Sequence, residues 1–104
     1  MTFRKHDTLP AWQFGRKDEK GFPLRAAGAE LNWFNDVPPP SIGTEIESIV
    51  NGIFPAVVDG YFEEEGYLGL RCHFTEEVKV FGRTIAAGSE CHLFGPEFRM
   101  KETP

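Results

Sequence analysis

Val57-Val58-Asp59-Gly60-Tyr61-Phe62, Glu63-Glu64-Glu65-Gly66 and Tyr67-Leu68-Gly69-Leu70-Arg71-Cys72-His73-Phe74 run consecutively through the middle of the chain. Two alternating apolar segments flank a charged turn, the pattern of an antiparallel hairpin. A strand turns successive side chains to opposite faces. The second arm therefore puts Leu68, Leu70, Cys72 and Phe74 on one face and Tyr67, Gly69, Arg71 and His73 on the other. By the same rule the first arm sets Val58, Gly60 and Phe62 against Val57, Asp59, Tyr61 and Glu63, so Tyr61 is expected to point outward.

Short strands continue on both sides of this hairpin. Glu45 to Val50 alternates and ends at Asn51-Gly52, a turn dipeptide in which both residues tolerate positive φ. Pro55 delays the next strand to about Ala56. Thr75-Glu76-Glu77 turns the chain after the hairpin. Val78-Lys79-Val80-Phe81 reads as a strand, with Gly82-Arg83 as a tight turn before Thr84-Ile85. Glu90 to Phe94 is the last clear strand, with Cys91 and Leu93 opposite His92 and Phe94. Gly95-Pro96 stops it, and Glu97 to Met100 adds a short strand or a helical turn. About five short strands in so few residues must bury one face without leaving long edges, and a sharply coiled small barrel does so. Residues 41–100 are therefore expected to form an SH3-like antiparallel barrel, with an oligonucleotide-binding-type barrel or a small sandwich as alternatives. Gly60 and Gly69 lie inside strands, where glycine marks a bulge or bend.

Residues 1–37 are expected to form an extended, aromatic-rich arm. Ala11-Trp12-Gln13-Phe14-Gly15 has strand alternation, Phe22-Pro23-Leu24 is a candidate returning arm, and Arg25 to Leu31 carries residues that favour a short helix. Trp12, Trp33 and Phe34 are too large to leave in water without cause, so the arm covers one end of the barrel or docks on another molecule, the first being favoured. Val37-Pro38-Pro39-Pro40 reads as a stiff boundary at residues 38–40. Residues 101–104 are a frayed tail.

The chain has 104 residues and a net charge of −5. Six cations face five carboxylates in residues 1–37, and five face eleven in residues 38–104, so the body carries −6. Such a body repels phosphate, which disfavours nucleic acid as a partner, and suits a basic partner through long-range steering. No apolar run approaches the length of a bilayer span, and no apolar signal segment follows the first charges, so a cytoplasmic location is expected and no membrane contact.

Cys72-His73 and Cys91-His92 invite a zinc reading. Adjacent strand residues point to opposite faces, so neither pair converges on one ion without a bulge. Both thiols are expected inside as small buried groups, touching if their strands are neighbours, with His73 and His92 outside. Glycine-rich phosphate loops, nucleophile elbows and paired metal-binding helix motifs are absent from the sequence. No enzyme and no cofactor is expected. What remains is protein binding: an acidic tip at Glu63, Glu64 and Glu65, flanked by Tyr61 and Tyr67, with Trp12, Trp33 and Phe34 as further anchors.

The run Ser41-Ile42-Gly43-Thr44-Glu45, the run from Gly60 through Tyr67 to Gly69, and His92-Leu93-Phe94-Gly95-Pro96-Glu97 together resemble small proteins encoded by tailed phages and prophages. The resemblance covers residues 38–98. The Gly60-Tyr61-Phe62 step is also similar to that of KOW-type barrels. The resemblance brings no assigned active site. Together with the acidic tip and aromatic anchors, it leads to the expectation of a non-enzymatic phage or prophage accessory protein in the host cytosol that binds a host protein, in one version as an inhibitor whose carboxylates occupy a site for nucleic-acid phosphates. The alternatives are a structural or self-associating part of a phage particle and a nucleic-acid-binding small barrel.

Overall fold

A computed structural model describes residues 3–15, 19–21 and 30–101. The described residues are mainly β and contain no α-helix. The strands are β1 (Arg4–His6), β2 (Trp12–Phe14), β3 (Leu31–Trp33), β4 (Glu45–Ser48), β5 (Phe54–Glu64), β6 (Tyr67–Phe74), β7 (Val78–Val80), β8 (Arg83–Ile85), β9 (Glu90–Phe94) and β10 (Phe98–Met100). A 3-10 turn, Gly95–Glu97, lies between β9 and β10. No helix among the described residues is long and apolar enough to cross a membrane.

β5 and β6 form the central hairpin. Glu64 pairs with Tyr67, which leaves Glu65 and Gly66 as the two turn residues. Both have positive φ, +55° and +85°, as a tight primed turn requires. The acidic tip is thus shorter than the sequence suggests, because Glu63 and Glu64 belong to β5. β5 also begins earlier than expected. Pro55 sits within it, opposite Glu47, and its carbonyl accepts a bond from the Thr75 amide at 3.1 Å. A proline forfeits only a donor.

One edge of β5 is shared. β4 pairs with its first half, from Glu45↔Val57 to Ser48↔Phe54, and β1 with its second half, from Arg4↔Glu63 to His6↔Tyr61. The free edge of β6 is shared too: β9 pairs from Gly69↔Phe94 to His73↔Glu90, and β3 joins parallel at Asn32↔Tyr67. β2 lies outside β3, also parallel, and β10 lies outside β4. These make one eight-stranded sheet, and β7 and β8 form a separate hairpin.

Two expectations are corrected here. The sheet is not closed into a barrel: β9 and β10 are joined by the 3-10 turn and share no ladder. The proline run does not set off an arm either. Strands on both sides of it belong to the same sheet, Pro39 and Pro40 are buried, and the Pro40 carbonyl accepts a 2.7 Å hydrogen bond from the Tyr61 hydroxyl. The candidate returning arm at 22–24 lies outside the described residues, as does all of the candidate helix except Glu30 and Leu31. Leu31 itself opens β3.

The core lies on one face of the sheet. Ala56, Val58 and Tyr61 of β5, Leu68, Leu70, Cys72 and Phe74 of β6, and Leu93 of β9 meet Trp33, Ile46, Val78 and Phe98 there. Burying side chains of this size contributes about 1.5–3 kcal/mol each. The reverse face is covered as well. Phe62 is buried there beneath Phe3, whose ring stacks on it at 5.1 Å, with Phe94 edge-on at 5.1 Å.

Candidate functional site

The bulge in β5 decides which predicted site residues are available. Pairing runs in step to Val58↔Cys72 and resumes at Gly60↔Arg71, so Asp59 is an extra residue. An inserted residue reverses the faces of everything after it. Tyr61 therefore turns inward opposite Leu70 and is only 3% exposed. Its predicted role as an outward anchor is corrected: the ring is core, and burial pushes its phenol up from the usual range. Phe62 goes to the reverse face by the same step.

Trp33 is likewise unavailable to a partner. It is fully buried, its indole Nε1–H donates to the Val37 carbonyl at 2.7 Å, and its ring packs against Phe98. Phe34 and Tyr67 are half-buried, with ring centroids 5.8 Å apart, and line one cleft with Phe14 and Pro96. Gly21 also lines that cleft. Trp12 meets Phe14 edge-on at 5.0 Å, outside this cleft. Gly95 closes against the Phe34 backbone, where an added Cβ would lie 2.6 Å from the Phe34 carbonyl oxygen.

The acidic tip is partly engaged by the fold. Glu63 accepts a 2.8 Å bond from the His6 imidazole, supplied by β1. Glu64 is half-buried and Glu65 is exposed in the turn. The other two histidines each meet a carboxylate, His73 with Asp59 at 2.8 Å and His92 with Glu90 at 3.2 Å. The hydrogen bond from His92 holds the Glu90 carboxyl below its usual range.

Cys72 and Cys91 stand directly opposite each other on β6 and β9, both on the core face, while His73 and His92 face the other way. The four side chains do not converge, and among the described residues no group of three His, Cys, Asp or Glu is placed to hold a metal. The thiols themselves do meet. Cys72 is buried, and Cys91 is its direct ladder partner on the same face. Interaction with Cys91, reinforced by burial, pushes the Cys72 thiol up, and interaction with Cys72 holds Cys91 below the ordinary thiol range.

The sequence reading missed Phe81. Val80 pairs with Arg83, so Phe81 and Gly82 are the two central residues of the β7–β8 turn, with φ of +50° and +74°. Phe81 is 84% exposed, more than any other large apolar residue described. It stands on the rim of a cleft of about 360 Å³ between this hairpin and the main sheet. Val50 shares that cleft, Phe54, Ile85 and Leu93 line it, and Ile49 and Ile53 lie exposed beside Val50 and Phe54 in the chain. The sequence reading put the turn one residue too late, at Gly82-Arg83 with Phe81 in the strand; Arg83 instead pairs with Val80, and Phe81 enters the turn. No protein-family model, curated protein or solved structure matches the chain.

Proposed function

We propose that this chain is a non-enzymatic binding protein that grips a protein partner with Phe81 and the apolar cleft below it. One observation carries the reading. A bulky residue in the left-handed region costs about 1–2 kcal/mol, and the ring gains nothing from burial. Asparagine or glycine suits this turn position far better. Folding alone gives no reason for a phenylalanine there, whereas an aromatic anchor beside a pocket is how binding energy is concentrated.

Chain order supports an SH3-like arrangement of residues 41–100. Strands β4, β5, β6 and β9 lie side by side in that order, the 3-10 turn follows, and β10 returns to β4. The resemblance over residues 38–98 supports a phage or prophage accessory protein acting on a host protein in the host cytosol. The charge of −6 on residues 38–104 favours a basic partner. It also supports a second reading, in which the acidic surface inhibits by occupying a site for nucleic-acid phosphates.

Capture from host lysate separates these. Loss of a bound protein in Phe81→Asn, with retention when Glu63, Glu64 and Glu65 become Gln, is expected from the first reading. The reverse pattern establishes the acidic surface instead. Sedimentation tests the structural alternative: concentration-dependent self-association abolished by Phe81→Asn makes a second copy the partner. Capture that is unchanged in Phe81→Asn sinks the proposal.

A further inference from the structure

The cleft under Phe81 has a chemical feature that binding does not use. Cys91 lines it and is half-buried, while Cys72, directly opposite across the ladder, is fully buried behind it. Directly opposed residues of an antiparallel pair have Cα atoms about 4.5–5.5 Å apart, inside the roughly 4.4–6.8 Å that a disulfide spans. Both side chains leave the sheet on the same face, so the two sulfurs are neighbours across the ladder. Access and proximity are thus divided between the two thiols: one meets solutes, and the other meets only its neighbour.

We infer that Cys91 and Cys72 form a thiol–disulfide exchange site, in which Cys91 captures a small disulfide such as oxidised glutathione and Cys72 resolves the adduct. In the first step the Cys91 thiolate attacks one sulfur of RS–SR. The S–S bond breaks, and one RS⁻ leaves and takes up the proton that Cys91 gave. In the second step Cys72 attacks Cys91 Sγ as its proton passes to the departing thiolate. The Cys91–SR bond breaks, and the second RSH leaves with the proton from Cys72. Two protein thiols have then lost two electrons to form the Cys72–Cys91 bond, and one external disulfide has gained them as two thiols. Cys91 is the thiol that lines the cleft, and its neighbour Cys72 holds it below the ordinary thiol range, which suits Cys91 to the attacking role. Apolar walls at Phe54, Phe74 and Leu93 leave room beside Cys91 for the aliphatic part of the incoming molecule. In a reducing cytosol the pair rests as two thiols, and it closes when the disulfide pool rises. This chemistry stands whether or not Phe81 docks a partner.

The test incubates the purified full chain with oxidised glutathione and follows intact mass and peptide maps. In the unaltered protein, a glutathione adduct on Cys91 is expected to rise and then fall as a species two hydrogens lighter accumulates with Cys72 joined to Cys91. Cys72→Ala is expected to stop at the Cys91 adduct, and Cys91→Ala to react at Cys72 roughly tenfold more slowly or less. The unaltered protein decides the matter if a variant fails to fold. A lasting adduct without an internal bond, first modification at Cys72, or no reaction at either thiol overturns the proposal.

Discussion

Phe81 and Gly69 mark the limits of reading this chain one residue at a time, since each is explained by a neighbour distant in sequence or by backbone geometry. Gly69 was legible as a special position but not its cause. It is unbulged, opposite Phe62, and an added Cβ would lie 2.3 Å from that ring. Phe62 cannot swing aside, because Phe3 and Phe94 both pack on it. Gly69→Ala is therefore expected to cost about 1–3 kcal/mol, read as a lower urea midpoint with an unchanged slope. At Phe81 the sign reverses. Phe81→Asn relieves the backbone and removes an exposed ring, so the urea midpoint is expected to rise by the equivalent of about 0.5–1 kcal/mol. A fall in stability would mean that the ring packs on its own molecule, and the binding proposal would lose its physical basis.

Strands that hold a single alternation were legible at the scale of the element. β9 was read with its bounds and faces, and β6 likewise, because one uninterrupted period places every side chain. β5 was read correctly only as far as Val58. Gly60 signalled an irregularity, but a glycine does not say whether it bends a strand or accompanies an extra residue, and only the second reverses Tyr61, Phe62 and Glu63. β1 and β3 were not foreseen. Each is three residues long and is held by strands not adjacent to it in the chain or by a parallel partner, β1 by β5 and β3 by β2 and β6, which leaves no local period to find. Arg71 is what fastens β1. Its Nε donates to the Tyr61 carbonyl at 3.0 Å, and its Nη2 donates to Asp7 at 3.0 Å and to the His6 carbonyl at 3.4 Å. Gly60 leaves space for this guanidinium, which an added Cβ would meet at 2.3 Å. Arg71→Met keeps the apolar stem and removes the donors, so β1 is expected to open locally. Amide exchange at Lys5 should speed up by roughly tenfold or more while β6 and β9 stay protected. Equal protection in both proteins would show that the ladder to β5 holds β1 by itself.

For the whole molecule, the sequence marked a boundary at 38–40 because a proline run has no ladder donors, and nothing local reveals that its last carbonyl reaches the core. The Tyr61 hydroxyl makes that link, joining the proline run to the central hairpin through one buried bond. The link has a consequence in alkali. Burial raises the Tyr61 phenol in the folded protein above its ordinary value, so at high pH the folded chain binds more protons than the unfolded chain. Stability from this group is therefore complete below about pH 10, where an unfolded tyrosine ionises, and is lost as pH rises toward the folded value. The buried Cys72 thiol acts in the same direction from a lower pH, and it does so equally in a protein lacking the phenol. Tyr61→Phe separates the two. Near neutral pH it is expected to be less stable by about 1 kcal/mol, because the Pro40 carbonyl loses its donor. Above about pH 10 the variant has no phenol to ionise, so the urea midpoints of the two proteins are expected to converge as pH rises. Midpoints that fall in parallel up to about pH 11 would mean that Tyr61 ionises as readily in the folded chain as in the unfolded one, and that the proline run is not held through a buried hydroxyl.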